Sequence, residues 1–174
     1  MIKKNIIIAG NVAGAGKDTM AGYLESKYGY KQVAFATGIK RVAREVFNMQ
    51  KKDRALLQDI GQKMREIDPE VWVKALFREI DASLHSIPFV ISDLRQKNEL
   101  SAALERNFIP VRVVTNRNIA VQRLLERDGV CDISKLDGPA EDGTRKIHLP
   151  QIYNNGTFTD FYQSIDEFLD SISI

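Results

Sequence analysis

A lysine followed at once by an acid and a hydroxyl, Lys17, Asp18 and Thr19, closes the run of small residues "GNVAGAGKDT" at 10–19. A glycine-rich turn that ends in lysine presents backbone N–H groups and one cation to a phosphate. Gly14 and Gly16 let the main chain curl tightly, because glycine takes positive φ without a Cβ clash. Ala13 and Ala15 are too small to block the cradle, and Lys17 can reach terminal phosphates as a point charge. Against the pattern G-x-x-x-x-G-K-[ST], Asn11 replaces the first glycine, Asp18 the metal-holding hydroxyl, and Thr19 brings a hydroxyl one residue late. Beside a triphosphate Asp18 would be repelled unless a cation lies between them, so a functional Asp18 implies magnesium. Its plainer role is to stabilise the helix start through the dipole. For the whole loop, the plain alternative is a turn that is glycine-rich only for tight packing.

A second constellation is "PFVISDLRQKNE" at 88–99, a buried-looking strand that runs into Asp93 with Arg95 two residues on. An acid at the carboxyl end of a strand lies where open α/β sheets bind ligands. There Asp93 could hold a metal's water shell or position an attacking oxygen, with Arg95 as a phosphate-shaped partner. Its alternative is a helix N-cap. Arg65 sits in "GQKMREIDPEVW", and Arg123 and Arg127 share one helix face at i, i+4. That pair is either a solvated face or, beside a closing flap, a source of positive charge for phosphoryl transfer. Trp72 could stack on a base, although Val71, Val73 and Leu76 around it suit a core position.

These residues need an alternating scaffold, and the chain supplies one. Short branched or aromatic runs at 5–9, 32–36, 88–92, 110–114 and 150–154 read as strands. Helical patterns fill 17–28, 38–48, 53–67, 69–84, 96–106, 117–128 and 158–172, with Pro69 expected in the first turn of its helix. Alternation of this kind predicts an α/β domain with a mostly parallel sheet. The gap between the second and third strands exceeds one crossover helix and predicts a helical lobe. Residues 129–149, rich in charge and glycine with little periodicity, read as a mobile flap.

Composition bounds the rest. A chain of 174 residues with 44% hydrophobic content fits one globular domain, residues 1–174. A net charge of +2 is too small for a protein whose main partner is a nucleic-acid backbone. The single cysteine, Cys131, excludes internal disulfides and cysteine-rich zinc sites and suits a reducing compartment, so a cytoplasmic location is expected. The apolar run after Lys3 and Lys4 is too short for an export signal, and no segment reads as a membrane span. The reading is therefore of small-molecule partners, with no nucleic acid and no membrane, and a homodimer left open.

Taken in order, "GAGKDT", "FATGIKRVAREVF", "LLQDIGQKMREIDPEVWVKAL", "VISDLRQKNE", "RLLERDG" and "IYNNGTFTDFY" give the chain a resemblance to the P-loop nucleoside monophosphate kinases. The closest resemblance is to the phage-type deoxynucleoside monophosphate kinases and their adenylate-kinase-like relatives. It implies a three-layer α/β/α fold, a five-stranded parallel sheet in the order 2-3-1-4-5, an acceptor-binding lobe at about 37–85 and a lid at about 128–149. It implies ATP and Mg2+ as cofactors and a nucleoside or deoxynucleoside monophosphate as acceptor. Ala13, Gly14, Ala15, Gly16, Lys17, Asp18 and Thr19 would hold ATP phosphates, Asp93 would serve magnesium, and Arg95 would clamp the acceptor phosphate. Lys40, Arg41 and Arg65 would line the acceptor lobe, Arg123 and Arg127 would act from the lid hinge, and "NNGT" at 154–157, with Asn155 and Gly156, would approach the adenine ring. The chain departs from the pattern at Asn11 and at Gln96, where many relatives carry an aromatic followed by proline, which bears on the acceptor. Dephospho-coenzyme A or a phosphomevalonate-like compound is the alternative acceptor, and a nucleotide-binding regulator without catalysis is the alternative of another class. No N-K-x-D guanine-reading motif is present, and neither His85 nor His148 sits in a nucleophile arrangement.

Overall fold

Ile6, Ile7, Ile8 and Ala9 are all fully buried, and this run forms β1 (Ile6–Gly10) at the centre of the sheet. A strand covered on both faces reads as continuous apolar residues, which is the habit of parallel sheets. Each fully buried isoleucine is worth about 1.5–3 kcal/mol relative to exposure. The computed structural model describes residues 3–83, 87–129 and 143–172. Most of the expected lid, 130–142, lies outside the described residues.

The elements alternate as anticipated: α1 (Lys17–Tyr28), β2 (Lys31–Val33), α2 (Ala36–Glu45), α3 (Arg54–Ile67), α4 (Val71–Asp81), β3 (Phe89–Ile91), α5 (Lys97–Glu105), β4 (Ile109–Val114), α6 (Arg117–Asp128), β5 (Gln151–Tyr153) and α7 (Phe158–Ile172). The sheet is parallel and five-stranded in the order β2-β3-β1-β4-β5. Met20, Ala21 and Leu24 of α1 and Phe161, Ile165 and Leu169 of α7 pack with Ile6, Ile8, Val111, Val113 and Ile152 of the strands. The i, i+4, i+8 spacing on α7 gives one apolar stripe, as expected of a helix lying on a sheet.

Two compact units divide the chain, one of Met1–Gln32 with Ile87–Ile174 and one of Val33–Ser86. In the second, α2, α3 and α4 pack on one another around Ala43, Ile60 and Trp72. Asp53 caps α3 by accepting from Leu56 N–H at 3.1 Å.

Several boundaries differ from the sequence reading, among them α2, expected over 38–48 and found at Ala36–Glu45, and two have clear local reasons. The strand expected over 32–36 ends at Val33, because Phe35 turns into α2 and Thr37 N–H bonds Ala34 O at 3.0 Å. The helix expected over 69–84 begins at Val71, so Pro69 precedes it. Asp68 there accepts from Glu70 N–H at 2.9 Å and its carbonyl from Val71 N–H at 3.0 Å, a turn that sets the start of α4.

Candidate active site

The phosphate-type loop leaves the carboxyl end of β1 and opens α1, with Gly14 at φ 80° and Gly16 at φ 105°. Both angles lie in the region that only glycine enters at little cost. Crowding adds a second reason: a Cβ on Gly16 would stand 2.3 Å from Asn154 Nδ2, and one on Gly14 would stand 3.0 Å from Ala120 O. A Cβ added to Gly10 would meet Lys17 Nζ at 2.9 Å, the far end of a flexible side chain. The Lys17 ammonium therefore lies over the start of the loop. Met20 N–H bonds Gly16 O at 3.0 Å and starts the helical ladder, so the amides before it lie in the first turn, where a helix has donors and positive potential to offer an anion.

Asn11, the departure from the glycine pattern, has a task of its own. Its side-chain amide pairs with Thr115 in both directions: Asn11 Nδ2 donates to Thr115 O at 2.9 Å, and Thr115 N–H donates to Asn11 Oδ1 at 3.0 Å. With Asn11 N–H bonded to Val113 O at 3.2 Å, the loop is stitched to the end of β4 as though the ladder continued by one step.

The carboxylates occupy different settings. Asp18 is exposed in the first turn of α1, and Asp93 is half-buried just after β3, where the next residue, Leu94, bonds Ile8 O at 3.3 Å. The N-cap alternative for Asp93 fails, because α5 begins at Lys97 behind Gln96. Glu99 is what braces this stretch: it is 3% exposed and its Oε2 accepts from Arg95 N–H at 2.9 Å and Gln96 N–H at 3.0 Å. Arg95 thus starts from a fixed backbone with an exposed side chain. No group of three or more His, Cys, Asp or Glu side chains that could cage a metal occurs among the described residues. Mg2+ needs no such cage, since one or two carboxylates with water and phosphate oxygens can hold it.

Arg123 is half-buried and donates through Nη1 to Asn154 O at 3.2 Å and through Nη2 to Asn154 Oδ1 at 3.3 Å. Arg127, one turn on, is exposed near the C-terminus of α6, which Gly129 closes at φ 74°. Asn155 joins the two loops beyond β4 and β5, its Oδ1 accepting from Asn116 N–H at 2.7 Å. Gly156 is followed by a reciprocal cap on α7, in which Asp160 accepts from Thr157 N–H and Oγ1 at 2.8 and 2.7 Å and Thr157 Oγ1 accepts from Asp160 N–H. Those donors hold the Asp160 carboxyl below its usual range.

Within the Val33–Ser86 unit, Lys40 and Arg41 are exposed on α2, and Arg41 edges a small recess with Thr37, Gly38, Leu76 and Glu79. Arg65 Nη1 bonds Gly61 O at 3.2 Å, as does Trp72 Nε1 at 3.1 Å. Trp72 departs from the expectation of a substrate-lining residue. It is 4% exposed, its N–H is committed to Gly61, and its ring is pressed against Gly38, where an added Cβ would lie 3.0 Å away. It is a core residue, held by the apolar neighbours visible in the sequence.

Thus one unit gathers the loop at 13–19, Asp93, Arg95, Arg123, Arg127, Asn155 and Gly156, and the other carries Lys40, Arg41, Arg65 and Trp72. Sequence reasoning missed Thr115 and Glu99, and it assigned Asn154, within "NNGT", to the adenine ring although its side chain bonds Ala15 O. Their only signal is that polar residues stand directly beyond strands or at a helix start while being buried.

No protein-family profile matches the chain, and no curated protein matches it in sequence. Solved structures do match it. TT1252 from Thermus thermophilus superposes with a TM-score of 0.65 at 20% identity, covering 99% of this chain and 100% of that one. A gluconokinase from Sinorhizobium meliloti 1021 gives 0.56 at 12% identity over 98% and 96% of the two chains. Dephospho-CoA kinase from Campylobacter jejuni gives 0.56 at 16% identity over 99% of each. The chain has the P-loop kinase fold.

Proposed function

We propose that this protein transfers the γ-phosphoryl group of ATP to a small phosphorylated acceptor, a nucleoside or deoxynucleoside monophosphate. The observation that carries the reading is the loop itself: two glycines at positive φ, a lysine over the loop and a helix N-terminus all converge at the end of the central strand. Kinases among the structures that share the fold support the reaction class.

The step asks for positioning and charge neutralisation more than for covalent chemistry. Lys17 and the amides of the first turn hold the donor phosphates, and Arg95 takes the acceptor phosphate, its backbone braced by Glu99. Arg127, exposed near the end of α6, would supply charge to the transferred group in this reading. Asp18 and Asp93 would hold Mg2+, which when bound neutralises phosphate charge. The acceptor is already anionic, so no strong general base is required of Asp93. Lys40, Arg41 and Arg65 serve acceptor binding in this reading.

The test is ADP formation with ATP and Mg2+ against a panel of nucleoside and deoxynucleoside monophosphates, dephospho-coenzyme A and phosphomevalonate. Turnover confined to monophosphates is expected. Arg95→Ala should raise the acceptor KM at least about tenfold, the loss of one charge-assisted pair. Asp18→Ala should lose turnover and metal dependence together, whereas a helix-start role would lower Tm and leave turnover intact. ATP binding with no turnover on any acceptor would favour a regulator instead.

A further inference from the structure

The loop is held from beneath by two buried side chains that have no part in the reading above. Thr115, just beyond β4, is 2% exposed, and Asn154, just beyond β5, is 5% exposed. Thr115 Oγ1 lies 2.8 Å from Ala15 O and 3.2 Å from Asn154 O, and Asn154 Nδ2 donates to the same Ala15 O at 2.8 Å. Ala15 O therefore accepts from two side chains that reach it from across 100 and 139 residues of sequence. Arg123 Nη2 donates to Asn154 Oδ1 at 3.3 Å, which leaves Nδ2 as the end that must face Ala15. The bareness of Gly16 is what lets Asn154 approach.

Peptide planarity turns this anchoring into a statement about ligand recognition. In a trans peptide the C=O and the following N–H point in opposite directions. Two donors that draw the Ala15 carbonyl inward therefore turn the Gly16 N–H outward, toward the concave side of the loop. The flipped peptide would present an oxygen there and repel a phosphate. Glycine at 16, free to take either orientation, makes the anchoring necessary.

We propose that Thr115 and Asn154 are positioning residues that lock the Ala15–Gly16 peptide so that Gly16 N–H is a preformed donor to a phosphate oxygen, with Arg123 setting the Asn154 amide. The role rests on the nucleotide reading of the loop, and the preformed donor spares the ordering that binding would otherwise require.

The test pairs Thr115→Val, which keeps shape and removes the hydroxyl, with Thr115→Ser, which keeps the hydroxyl. Asn154→Ala and Asn154→Asp accompany them, and all are assayed by titration with MgATP well below each variant's Tm. Thr115→Val and Asn154→Ala should each weaken ATP binding about tenfold, as expected for one lost hydrogen bond, and Thr115→Ser should stay within about twofold of wild type. Asn154→Asp, which sets a carboxylate against Ala15 O, should weaken it further than Asn154→Ala. The KM for ATP should rise while that for the acceptor stays unchanged, and with MgATP present exchange of the Gly16 amide should quicken while amides of β1 remain protected. A merely structural role would lower Tm and leave affinity and the KM split unmoved. Wild type that binds ATP alongside Thr115→Val and Asn154→Ala of unaltered affinity would overturn the positioning role alone. Wild type that binds no ATP would overturn the nucleotide reading and this role with it.

Discussion

Gly16 concentrates the constraints of the loop in one position. It combines φ 105° with an approach of 2.3 Å between its notional Cβ and Asn154 Nδ2, so alanine there is strained twice. Gly16→Ala should destabilise the fold by about 2 kcal/mol or more, from backbone strain before the clash is counted, as measured by urea unfolding. ATP binding should fall with it. The glycines and Lys17 were legible in the sequence because the curl and the cation are local requirements. The meaning of Asn11 was not, since its partner Thr115 is brought to it only by the pairing of β1 with β4. Asn154 stood inside the "NNGT" that the resemblance assigned to the adenine ring, and its bond to Ala15 O was hidden in the same way. Trp72 shows the converse: its apolar neighbours pointed to a core, and the core is where it lies.

At the level of elements, strands and helices were readable because their periods are intrinsic. The stripe Phe161, Ile165, Leu169 on α7 follows from spacing, and the range 17–28 for α1 from the glycines that bound it, Gly16 and Gly29. Boundaries fixed by turns were less so, as at Ala34 and Asp68, where a few hydrogen bonds outweigh propensity. Gly29, at φ 71°, ends α1 and sends Tyr30 inward, its hydroxyl donating to Lys4 O at 2.9 Å. Burial pushes the Tyr30 hydroxyl up from 10.0 to about 12. Because the folded value is the higher one, its contribution is whole below pH 10.0 and is lost as pH rises toward about 12. Tyr30→Phe should flatten the fall in stability across that window, measured by urea midpoints at successive pH values. In β4, Arg112 is 7% exposed and donates to the carbonyls of Thr144 and Ile147 at 2.5 and 3.1 Å, so the strand beside β1 also carries the anchor for the turn at 143–147. Burial lowers its affinity for the proton, and the carbonyls offset that cost.

At the largest scale, the parallel order β2-β3-β1-β4-β5 explains why Asn11, Ala15, Thr115, Asn154 and Asn155 share one neighbourhood: the loops after β1, β4 and β5 leave the same end of the sheet. Among the described residues no helix is long and apolar enough to cross a membrane. Alternation of strands and helices implied a mostly parallel sheet and the resemblance implied its order, whereas the choice of acceptor depends on side chains whose partners spacing does not specify. The central claim is phosphoryl transfer between small molecules, and it is tested most directly by following label from γ-labelled ATP. With Mg2+ and a deoxynucleoside monophosphate, wild type should place the label on the acceptor as a diphosphate, and Lys17→Ala should reduce that transfer by at least about 10³-fold. Label released only as inorganic phosphate, or transferred equally well by Lys17→Ala, would contradict the account.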